Sequence, residues 1–98
     1  MALVPESTAS ASSTASTLVI TKPSGVAVGD VLVASLSCFL GTTTTLAGWS
    51  LVKNQACTNG SVNVQTRVAT SADVSASDYT FAFSAGNLNS GGIVRVSG

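Results

Sequence analysis

The stretch Ser61-Val-Asn-Val-Gln-Thr-Arg-Val68 constrains the fold more than any other, because it alternates with the two-residue period of a strand. Val62, Val64, Thr66 and Val68 project one way, while Ser61, Asn63, Gln65 and Arg67 project the other. A helix would need an apolar stripe at about 3.6-residue spacing, and none is present. The segment is therefore expected as a strand with its valine side packed and its amide side wet. Asn59-Gly60 just before it carries the signature of a type I′ hairpin turn. The same turn accounts for Asn59-Gly60-Ser61, which also has the form of a glycosylation acceptor.

Shorter runs repeat the rhythm. Residues 16–21 are rich in β-branched side chains and stop at Lys22-Pro23-Ser24-Gly25. In Val31–Phe39, Leu32, Ala34, Leu36 and Cys38 share one face and Val31, Val33, Ser35 and Ser37 the other. Both faces begin apolar, as expected of a central strand partly covered on each side. Further strands are expected from Gly48 to Lys53, at Tyr79-Thr-Phe-Ala-Phe83 and at Ile93-Val-Arg-Val96. Small-residue connections are expected at 71–77 and 86–92. Residues 1–15 are hydroxylated and low in complexity, which predicts a flexible arm. The expected architecture is all-β: an antiparallel sandwich or jelly-roll-like unit of six to seven short strands over residues 16–98, incomplete at its C-terminal end.

Composition narrows the chemistry. Ninety-eight residues suffice for one domain, and four basic and four acidic side chains cancel to zero net charge. Lys22, Lys53, Arg67 and Arg95 are scattered singly and read as solvated faces or edge guards, so no nucleic-acid partner is expected. The 16 Ser and 12 Thr carry the polarity instead. Histidine is absent, which removes the commonest general base and metal ligand. Glu6, Asp30, Asp73 and Asp78 read as turn or strand-end residues rather than a paired catalytic site. Calcium held by Asp73, Asp78 and nearby carbonyls is the alternative, although such sites usually recruit more carboxylates. A Ser or Thr nucleophile would have only Lys22 or Lys53 as its base, with no supporting spacing. No enzyme, cofactor or metal is expected. The first sixteen residues show no export signal, and no apolar run reaches the ~20 residues that cross a bilayer.

Two cysteines and one tryptophan remain to be placed. A Cys38–Cys57 disulfide would close a loop of about 20 residues and add roughly 3 kcal/mol, with two buried thiols as the alternative. If 31–38 and 48–54 paired as a simple hairpin, the sulfurs would lie near opposite ends, more than ~20 Å apart. Trp49 is expected as a core anchor. The alternative is an exposed sugar-binding platform made with Tyr79, Asn87 and Asn89.

Lys22-Pro-Ser-Gly-Val-Ala-Val-Gly-Asp-Val-Leu-Val-Ala34, Gly48-Trp49-Ser-Leu-Val52, Arg67-Val-Ala-Thr70, Tyr79-Thr-Phe81, Gly91-Gly-Ile-Val94 and Ser97-Gly98 together resemble a β-sandwich module of phage virion proteins and secreted bacterial surface proteins. The resemblance spans roughly residues 16–98 and implies a fold, since its shared positions are turns and core residues that carry no catalysis. In such modules the chain usually continues after a segment like 91–98. Either the chain belongs to a longer product that supplies further strands, or Ile93, Val94, Arg95 and Val96 form an open edge that a neighbouring subunit completes. The expected role is structural, in a virion or at an extracellular surface, with copies of itself or other virion proteins as partners. The alternative is an adhesin or carbohydrate-binding module that takes a surface glycan.

Overall fold

The computed structural model describes residues 4–84 and 88–97. Along the chain run β1 (Val4–Ser13), β2 (Thr17–Thr21), β3 (Val31–Phe39), β4 (Ser50–Cys57), β5 (Gly60–Val68), the short helix α1 (Ser71–Ser75), β6 (Asp78–Ala82) and β7 (Asn89–Ser97). They form an all-β sandwich of two antiparallel sheets, one ordered β1-β7-β3-β5-β4 and the other β2-β6. Alternation supplies the core: Leu18 and Ile20 of β2 and Phe81 of β6 meet Leu32, Ala34 and Leu36 of β3 and Ile93 of β7, all buried.

The segment expected as a flexible arm is instead a strand over residues 4–13. β1 pairs with β7 from Val4 opposite Ser97 to Ser13 opposite Asn89, with a bulge at Pro5/Ser7. Its inward residues Ser7, Ala9, Ala11 and Ser13 are small, and Ala9 and Ala11 pack against the core. Low hydropathy hid a strand whose packing needs short side chains rather than large ones.

That pairing also overturns the open edge expected at Ile93, Val94, Arg95 and Val96. β7 is internal, hydrogen-bonded to β1 on one side and to β3 on the other. Gly91 and Gly92, which read as loop residues, lie within it. A Cβ on Gly91 would press on Leu36 and the Ser35 carbonyl, so the glycine makes room for a core leucine.

In β5 the alternation holds but its sides are exchanged. Ser61, Asn63 and Gln65 are buried, whereas Val62 and Val68 are exposed and Val64 is half-exposed. The hairpin turn lies one residue earlier than expected, at Thr58 and Asn59, because Cys57 pairs with Gly60. Gly60 is the first residue of β5, also opposite Phe39, and a side chain there would collide with the Cys38 carbonyl oxygen. Residues 71–75 make one helical turn where a connection was expected, with Asp73 accepting from the Thr70 N–H at 2.7 Å.

Candidate functional site

The residues offered for a ligand platform do not form one. Trp49 and Tyr79 are buried, and the indole stands edge-on to Tyr79 and Phe81, both at 5.4 Å between ring centroids. Packed inside, it fulfils the core-anchor expectation, and Trp49 and Tyr79 show only an edge of the core to a small cleft of about 380 Å³ shared with Arg67 and Asp78. Asn89 is buried and donates from Nδ2 to the Ala15 carbonyl at 2.7 Å. Asn87 lies outside the described residues.

Cys38 and Cys57 are not joined. They stand at the same end of the sheet, not at opposite ends, because β5 lies between β3 and β4 and makes those two strands parallel. Two strand spacings, about 10 Å, exceed the reach of a disulfide. Cys38 is buried in the core, whereas Cys57 is exposed.

Both partly sheltered arginines face inward, a correction to their reading as solvated guards. Arg95 and Arg67 lie on either side of Leu32 in the sheet. Arg95 Nε donates to Asp30 Oδ2 at 2.7 Å, and Arg67 Nε donates to Asp73 Oδ1 at 2.7 Å. Asp73 also accepts from the Tyr79 hydroxyl at 2.7 Å. Burial alone would raise the Asp73 pKa, but hydrogen bonds from Arg67, Thr70 and Tyr79 outweigh it and hold the carboxyl at about 2. The Tyr79 hydroxyl is pushed up by its burial and by Asp73. Asp30 is held below its ordinary value by Arg95 and by the Ala27 N–H. These carboxylates are structural anchors, each holding an arginine and a backbone N–H. Thr70-Ser-Ala-Asp73 was the sequence signal for this cluster, since Ser/Thr followed three residues later by an acid marks a helix start. The calcium alternative is not assembled: Asp73 is taken by Arg67, and no group of three or more candidate metal ligands occurs among the described residues.

What remains open is the outer face of the five-stranded sheet. The register places Val31 and Val33 of β3, Val94 and Val96 of β7, and Val62, Val64, Thr66 and Val68 of β5 on that side, none of them fully buried. β1 adds Pro5, Thr8, Ser10 and Ser12, and β4 adds Ser50, Lys53 and Gln55. The first two cross-strand rows are almost entirely valine, proline and threonine. The following rows pass to short hydroxyls, where Ser37 and Ser90 share a hydrogen bond at 2.8 Å. A shallow cleft of about 520 Å³ lies at the far end, lined in part by Phe39, Cys57, Val62 and Leu88. Among the described residues, Lys53 is the one charged side chain in these outward ladder positions. Chemically the face can exclude water against another neutral surface but cannot track phosphates or polarise a substrate. No described helix is long and apolar enough to cross a membrane. No protein-family model, curated protein or solved structure matches the chain, so the resemblance to phage and bacterial surface modules stands on sequence motifs alone.

Proposed function

We propose that this chain is a non-enzymatic structural component of an extracellular assembly, acting by subunit packing, with a phage virion (a capsid decoration, head fibre or tail-associated protein) as the setting. One observation carries the reading: a five-stranded sheet whose outward side bears seven valines and a single cation. A solvated sheet face is ordinarily polar, and a contiguous apolar one marks a contact surface. Strand exchange at residues 93–96 is no part of this mechanism, because β1 already occupies that edge. Packing is assigned to a face instead. The hydroxyl-rich, nearly uncharged composition and the lack of histidine agree with a packing role.

The test is quantitative peptide mass spectrometry of extracellular particles from the source, purified by density gradient. Constant stoichiometry to the major particle protein is the expected result. Absence from the particles, with the chain recovered only in the soluble fraction, would overturn the reading.

A further inference from the structure

We infer that the outer valine face is a homodimer interface, closed by the same face of a second copy. The inference rests on the packing role proposed above and names the partner. Five strands at about 4.8 Å spacing and nine residues at about 3.3 Å each give a face of roughly 24 by 30 Å, or about 700 Å² on each copy. Stable complexes bury roughly 600–1,000 Å² per partner, so the face is large enough.

Its chemistry selects the occupant. An acidic or basic partner would find only Lys53 at the β4 margin, and the ring that β3 does present outward, Phe39, stands at the far end, away from the valine rows. A second copy supplies what the face lacks: rows of β-branched side chains at the same spacing, able to interdigitate as in aligned sheet packing about 10 Å apart. The contact is isologous and therefore closes at two copies. Zero net charge lets the copies approach without mutual repulsion.

Sedimentation velocity of the intact chain, from roughly 1 to 100 µM, reads the equilibrium directly. A monomer–dimer transition is expected. Val33→Lys places an ammonium at the middle of the face and should raise the dimer dissociation constant on the order of a hundredfold. Leu51→Lys, on the inward side of the exposed strand β4, should leave it unchanged. Because a variant can fail through misfolding, the native chain gives a second readout. Methyl signals of Val31, Val33, Val94 and Val96 should be shielded from a soluble paramagnetic probe at high concentration and become accessible on dilution. A monomer throughout the range overturns the inference, and if the chain is nonetheless stoichiometric in particles the packing role stands with a different partner. A dimer that survives Val33→Lys with accessible valine methyls also overturns it, placing the contact elsewhere.

Discussion

The inner side of the five-stranded sheet is built in two ways. Over β1, β7 and β3 the covering layer is the β2-β6 pair, and the residues between are Leu18, Ile20, Leu32, Leu36, Phe81 and Ile93. Over β5 the cover is the irregular segment 40–49, and the residues between are Ser61, Asn63 and Gln65. A strand arrives with its backbone already hydrogen-bonded to its neighbour, so only apolar contact is asked of the surface beneath it. An irregular segment brings unpaired N–H and C=O groups, which must find partners when buried. Gln65 answers two of them, accepting from the Leu46 N–H at 2.9 Å and donating to the Thr44 carbonyl at 3.1 Å. Ser61 Oγ donates to the Gly41 carbonyl at 2.8 Å. The hydrogen-bonding state of the cover, rather than its hydrophobicity, decides what the strand below must be.

Ile93 and Gln65 flank Ala34 in one cross-strand row, which makes them a matched pair for testing this rule. Exchanging the chemistry should fail at both ends. Gln65→Leu leaves the Leu46 donor and the Thr44 acceptor without their partner and should cost about 3 kcal/mol. Ile93→Gln loses apolar burial and inserts an amide with no partner of its own, for about 3 kcal/mol or more. Urea unfolding should show both as lowered midpoints at unchanged slope. If Gln65→Leu were neutral or stabilising, β5 would simply be tolerating polarity, and the comparison would break.

The same row shows where the sequence was legible and where it was not. The strand segments and the all-β class could be read from alternation at 31–39, 61–68 and 79–83, because a period of two is local information. Which side of β5 faces inward is not local. The valines carry the stronger hydrophobic signal, and only the contacts of residues 41–46, some twenty positions away, reverse it. β1 was missed for a related reason: Ser7, Ala9 and Ala11 fit beneath β2 because they are small, and smallness also describes a linker. The outward valine face had one visible sign, Val31 and Val33 beginning the second face of β3. Its extent over β7 depends on a register that composition does not encode.

A second test concerns the seam where the two constructions meet. Arg67 ends the inward row of β5, Tyr79 belongs to the covering β6, and Asp73 binds both. The Asp73 carboxyl falls from 3.8 in the unfolded chain to about 2 in the folded one. A depressed folded value means stabilisation that is present above pH 4 and lost as the pH falls toward 2, amounting to about 2 kcal/mol at roughly 1.4 kcal/mol per unit. Asp30 titrates in the same direction. Thermal unfolding of the native chain should therefore weaken between pH 4 and 2. Asp73→Asn should lower stability at pH 7 and flatten most of that acid slope. An unchanged slope would mean that the seam is held by the rings of Trp49, Tyr79 and Phe81 rather than by the carboxylate.

The smallest expected effect is the most discriminating for β5. Were its valines the packed side, as alternation alone suggests, Val62→Thr or Val68→Thr would place a hydroxyl in the core, where the swap is not isosteric, and cost more than about 1 kcal/mol. With Val62 at 43% and Val68 at 62% exposure the hydroxyl meets water instead. Threonine keeps the branched Cβ that suits a strand, so each substitution should stay within about 0.5 kcal/mol of the native chain. Urea titration in dilute solution, where copies are apart, isolates this intramolecular term. Repeating it at high concentration then adds whatever the outer face gains from company, and a penalty that appears only there separates a surface built for packing from one that is merely apolar.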